Sequence, residues 1–154
     1  PGEVNYNPAR ARELVRGDQA AVRPVREVKL SPQMLAAMAF PALEWLEELL
    51  VHTPDATRVI FMRMPVHVAD QAAPGSIEAA TQNECYRRVD VLARQHRVYH
   101  FDMQFPSPIT ETDTNYWDRR HFRLPIARLT AGEMARALSR GTSSEILRVI
   151  SQPR

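Results

Sequence analysis

From Pro1 to about Lys29 the chain is polar, rich in arginine and poor in aliphatic clusters, with Pro8, Gly17 and Pro24 interrupting any long period. The pattern predicts one short helix over Ala9 to Val15 inside a polar arm or linker, residues 1–30. The apolar period begins after Ser31-Pro32, an N-cap followed by proline at the first helical position. Met34, Leu35 and Met38 then share one face, and Pro41 removes an amide donor and kinks or restarts the helix. Leu43, Leu46, Leu49 and Leu50 carry the stripe to about Val51, with Trp45 near its edge.

After the break at His52-Thr53-Pro54-Asp55, the run from Val59 to Met64 is almost continuously apolar and stops at Pro65. Short and preceded by a helix, it suits a parallel strand buried on both faces. A loop to Gly75 follows. Ser76 caps a predicted helix to about Gln95 with Ala80, Cys85, Val89 and Leu92 on one side, and residues 98–102 form a second predicted strand. Phe105 to Thr114 is rich in Pro, Ser and Thr and predicts a loop. Helix signals return at Pro125 (Ile126, Leu129, Met134, Ala137, Leu138), close at Gly141, and allow a last short helix over Ser143 to Ile150. The order helix, strand, helix, strand, helix favours right-handed crossovers and an open α/β sheet in one domain, residues 31–154.

Composition changes this picture little. An apolar fraction of 44% with 25% charged residues is that of an ordinary globular domain, and 154 residues bury one core. No apolar run approaches the roughly 18 to 20 residues that span a bilayer. The start at Pro1-Gly2-Glu3, without Met, reads as a processed product or a piece of something longer. Lys29 is the single lysine, which reads as a codon-composition bias, and a net charge of +2 does not imply a nucleic-acid partner. Cys85 is alone and predicted buried, an inert core residue. The methionines at 34, 38, 62 and 64 sit at core spacing.

The chemistry concentrates in Tyr116-Trp117-Asp118-Arg119-Arg120-His121. A carboxylate three residues before an imidazole can accept from one ring nitrogen and leave the other free to take a proton from a nucleophile. The plainer alternative has Asp118 capping a turn and His121 half-exposed. In open α/β sheets ligands gather beyond the carboxyl ends of the strands, and three segments reach that edge: Pro65-Val66-His67, Asp102 to Pro108, and the Asp118/His121 loop. His67 could line a substrate pocket or bond locally. Arg119, Arg120 and Arg123 could hold an anionic substrate or lie on a solvated loop. Trp117 walls the site or anchors the loop. His100 and Asp102 share a strand face but lack further metal ligands. No dinucleotide, phosphate-loop or zincin motif is present.

The run Asn115 to Arg123, followed by a proline-started helix, resembles the final block of the SGNH (GDSL-like) hydrolase superfamily, where the Asp and His of a catalytic triad share one D-x-x-H segment. The preceding order of strand, Pro-Val-His loop, amphipathic helix and strand ending in Phe101-Asp102 is similar too, so the resemblance covers roughly Leu43 to Leu138. It is nearest to envelope-associated members that act on acyl groups of polysaccharides. It implies a flavodoxin-like three-layer sandwich with a parallel sheet, of which this chain holds the C-terminal half. It also implies Asp118 and His121 as catalytic residues, His67, Trp117 and Arg120 around the substrate, no metal or organic cofactor, and a bacterial envelope or periplasmic setting.

The family's Gly-Asp-Ser turn and its oxyanion Gly and Asn are not recognisable. Gly17-Asp18-Gln19 has glutamine where the serine belongs, Ser31 and Ser76 sit at helix starts, and Ser107 is the best local candidate for a nucleophile. The expectation is therefore an esterase or acyltransferase part acting on an acyl-ester or carbohydrate substrate, inactive alone. Its own N-terminal arm, a second copy of the chain or the missing N-terminal half would cover its open sheet edge. The alternative is a non-catalytic module of the same fold that binds a carbohydrate or a protein.

Overall fold

The computed structural model describes residues 5–17 and 27–153. Pro1-Gly2-Glu3, Pro24 and the Asp18-Gln19 end of the glycine-led run lie outside them. The fold is mixed α/β. Its helices are α1 (Pro8–Arg16), α2 (Pro32–Ala36), α3 (Pro41–Val51), α4 (Ile77–Gln95) and α5 (Leu124–Arg140). Strands β1 (Ile60–Arg63), β2 (Tyr99–Asp102) and β3 (Arg148–Ser151) form one sheet in the order β1-β2-β3. Among the described residues no helix is long and apolar enough to cross a membrane.

Local chemistry explains most boundaries. Ser31 Oγ accepts from the Met34 amide and Ser76 Oγ from the Ala79 amide, so both serines cap helices as their positions predict. Gly141 ends α5 at φ +66°, a left-handed conformation that favours glycine. The expected helix over Ser143 to Ile150 is corrected to β3. The amides of Ile146 and Leu147 turn to Ser144 Oγ, and that of Val149 to Ser143 Oγ. Such serine bonds also start helices; here residues 148–151 join the sheet beside β2, and that long-range pairing overrides the helical spacing.

The expected parallel sheet holds for one pair of strands. Tyr99 N donates to Val59 O and Met103 N to Arg63 O, an advance of four residues on both strands, so β1 and β2 run the same way. β3 runs opposite: Ser151 lies at Val98, its hydroxyl 3.4 Å from the carbonyl, whereas Arg148 stacks on Phe105.

The described residues pack as two units. One joins α1 to Met62–Gln71 and Phe101–Val149. Its core holds Phe101, Met103, Ile109, Tyr116 and Leu147, with Ala11 and Val15 of α1 also buried. The other contains α2, α3, the start of β1, Ala72–His100 and the end of β3. There Leu50, Ala93 and Val98 form a core flanked by Leu46, Val59 and Phe61. The stripe expected along α3 is narrower than its sequence suggests, because Leu49 and Trp45 stand 64% and 71% exposed. Met34 and Met64 are exposed rather than core residues. Cys85 is half-buried, and its neighbour Glu84 takes the buried place on α4.

Glu84 is tolerated there because it is doubly paired. Arg87 donates to both its oxygens and Arg88 Nε to Oε1, all at 2.7–2.8 Å. The rest of the Arg88 fork reaches Leu35 O (2.8 Å) in the last turn of α2 and Met38 O (2.9 Å) just past its end, where i+4 helical donors run out. The same guanidinium lies 5.0 Å from the Phe40 ring centre. One side chain thereby fastens the α2–α3 elbow to α4.

Hydrogen bonds from Arg87 and then Arg88 hold the Glu84 carboxyl at about 2, against an ordinary 4.5. A depressed folded-state value means stability that is complete above pH 4.5 and lost as pH falls toward 2. Thermal melts followed by circular dichroism should show that acid loss in the parent chain. Glu84→Gln should lower Tm at neutral pH and flatten the loss across that window. An unchanged pH profile in the variant would contradict the assignment.

Candidate functional site

Two parallel strands release their chains at the same edge, and main-chain bonds gather the loops there. His67 N donates to Arg119 O (2.8 Å) and Val68 N to Thr110 O (2.9 Å). The loops after β1 and β2 and the Asp118/His121 segment are thus one cluster, the convergence expected from strand order.

Within that cluster, Trp117 N donates to His121 O at 2.8 Å and Tyr116 bridges Phe122 in antiparallel fashion, so residues 117–121 form a closed turn. Asp118 Oδ1 accepts the amides of Arg120 (2.8 Å) and His121 (3.0 Å). The same carboxylate lies 2.9 Å (Oδ1) and 2.8 Å (Oδ2) from His121 Nδ1. The turn cap and the Asp–His pair are therefore one arrangement. A carboxylate only accepts, so Nδ1 carries the hydrogen and Nε2 is left as the basic nitrogen. Burial raises the Asp118 carboxyl, but the Arg120 amide, the His121 ring and the His121 amide outweigh it, leaving it below the ordinary range. The pair is open: the imidazole is 75% exposed and the carboxylate 42%.

A second histidine–aspartate contact lies deeper. His67 is buried, its Nδ1 accepts from Ala69 N at 3.1 Å, and its Nε2 stands 3.2 Å from Asp113 Oδ1. The other Asp113 oxygen meets Arg16 Nε of α1 at 2.5 Å. Burial lowers the His67 value. Asp113 opposes this, whereas Arg16 and Arg119 add to it, so the ring is neutral at pH 7. With both nitrogens turned to its own surroundings, His67 has no free base to offer. Tyr116 packs edge-on against it, and burial pushes that phenol's pKa up. Sequence reasoning missed Asp113. It lies 46 positions from its partner in a Pro/Ser/Thr loop and carries no motif.

The remaining candidates are placed as follows. Arg120 Nε pairs with Asp70 Oδ2 at 2.7 Å, which raises its pKa further. Arg119 Nε donates to Val15 O (2.8 Å), and Arg123 donates to Thr114 O (3.0 Å) and covers the Tyr6 ring. Trp117 meets Tyr6 edge-on at 5.1 Å and also lines a cleft with Asp118, so it both anchors and walls. Ser107 is buried and bonded with Thr110. Asp102 Oδ1 accepts from Gln104 N (2.8 Å), its other oxygen lies 3.3 Å from Arg63, and His100 Nδ1 lies 3.7 Å from Asp90. Among the described residues no three His, Cys, Asp or Glu side chains are grouped to hold a metal. Comparison with models of protein families, with characterised proteins and with solved structures found no match to this chain.

His67 gives a pH test of this cluster. The unfolded ring takes up its proton near 6.5 and the buried ring at lower pH, so its contribution is complete above 6.5 and lost as pH falls through the folded value. Nitrogen-15 NMR should find His67 as the Nε2–H tautomer, titrating below 6.5. A midpoint at or above 6.5 would overturn the assignment.

Proposed function

We propose that this chain supplies the base and its orienting acid to a serine esterase or acyltransferase of the SGNH type, as the C-terminal part of a flavodoxin-like fold. The observation that carries this reading is the Asp118–His121 geometry, which leaves Nε2 basic and directed away from its carboxylate. Nε2 would take the proton from an attacking serine hydroxyl as its oxygen bonds the ester carbonyl, then return it to the departing alkoxide. Water repeats the sequence on the acyl-enzyme for a hydrolase, and a second alcohol does so for a transferase. Asp118 stays ionised throughout and stabilises the imidazolium.

The exposure of His121 fits a nucleophile brought by another segment. Ser107 is enclosed and already bonded with Thr110. A hydroxyl from outside the chain fits the open ring better. The same exposure favours a second reading, a non-catalytic module that uses this edge to bind a carbohydrate or a protein. An exposed Asp–His turn also serves as structure, at about 1 kcal/mol or less.

Hydrolysis of p-nitrophenyl acetate separates the two. The chain alone should turn over no faster than free imidazole. Joined to a Gly-Asp-Ser segment encoded before Pro1, it should form an acyl-serine. His121→Ala or Asp118→Asn should then cost about 10³- to 10⁴-fold in kcat. A coding sequence without that turn, or a joined protein indifferent to His121→Ala, would sink the esterase reading.

A further inference from the structure

The cleft beside Asp118 has a second wall, contributed by α1 and the residues leading into it. It encloses about 300 Å³ among Asn5, Asn7, Arg10, Leu14, Trp117 and Asp118. That wall is fixed in place. Arg119 holds Val15 O, Arg16 pairs with Asp113, and the Tyr6 hydroxyl donates to Thr114 O at 3.0 Å. Each of the three arginines of the Asp118/His121 segment spends at least one donor on an acceptor within the fold. Arg10 differs. It is exposed, lines the cleft, and its guanidinium has no ion pair or hydrogen bond among the described residues. Asn7 spends its carbonyl oxygen on the amides of Ala9 and Arg10, which leaves its NH₂ group as a donor.

We propose that this cleft is a binding subsite for an anionic oxygen group, a carboxylate or a phosphate, carried on the hydroxyl-bearing part of the ligand. Arg10 supplies the charge, the asparagine amides supply neutral donors, and the Trp117 face packs against the carbon skeleton. Charge also sets the direction of the ligand. Asp118 repels an anion from its own end of the cleft, so the anionic group sits at the α1 end and the ester-forming hydroxyl points toward His121. That last assignment rests on the catalytic reading above, whereas the binding itself does not.

Trp117 reports the test. With Trp45→Phe it becomes the sole indole of the full chain, since the sequence has two tryptophans and Trp45 is solvent-exposed. The protein is titrated with methyl glucuronide, glucose 6-phosphate and uncharged methyl glucoside while Trp117 emission is followed. At least one anionic sugar should bind roughly tenfold or more tighter than methyl glucoside. Which one binds identifies the group as carboxylate or phosphate. Arg10→Ala should remove that advantage and Arg10→Lys should retain part of it, with helix content unchanged by circular dichroism. Equal response to charged and uncharged sugars, no response to any, or an affinity unmoved by Arg10→Ala would overturn the proposal. None of these readouts needs turnover. A silent titration therefore refutes the subsite alone, and an inactive joined protein refutes the dyad alone.

Discussion

Two adjacent strands that run the same way cannot be joined by a tight turn, and this constraint organises the chemically interesting part of the molecule. The chain must cross over between β1 and β2, and α4 with its flanking loops makes that crossing. Both strands then end at one edge, and the amides of His67 and Val68 find carbonyl partners in segments arriving from elsewhere in the sequence. Without the parallel pair the loop after β1 would not share an edge with the loop after β2. The turn holding Asp118 would lose the partner of the Arg119 carbonyl.

Arginine does a large part of the remaining assembly. The forks of Arg88, Arg94, Arg119 and Arg123 each donate to a main-chain carbonyl outside their own helix or turn. A planar group with several fixed donors suits this work, because it can satisfy a carbonyl left at a helix end and a carboxylate together. Read as composition alone, the near-absence of lysine looked like codon bias. In the fold these guanidinium groups act as cross-links, and an ammonium at position 88 would not reach Glu84, Leu35 and Met38 at once.

The elements were legible where local signals are strong. Ser31-Pro32, Ser76 and Gly141 marked helix ends because capping and left-handed backbone are properties of single residues. Residues 59–64 and 98–102 marked strands because they are short runs rich in apolar, β-branched and aromatic residues. The segment after Gly141 misled because Ile, Leu and Val at helical spacing say nothing of the strand beside which the folded chain lays them. The Asp118/His121 pair was readable because three residues of spacing fix it locally. The His67–Asp113–Arg16 chain was not, since each member comes from a different part of the sequence and only the folded backbone brings them together. Exposure was the other failure: periodicity placed Leu49, Met34 and Met64 in a core that does not extend to them.

The turn at Asp118 makes its two functional groups unequal. One oxygen, Oδ1, closes the loop through two amides and also faces the ring. Replacing the histidine leaves the loop's geometry standing, whereas replacing the aspartate takes away the staple as well as the counter-charge. The histidine position is thus free of architectural duty, whereas the acid is pinned by the loop it closes.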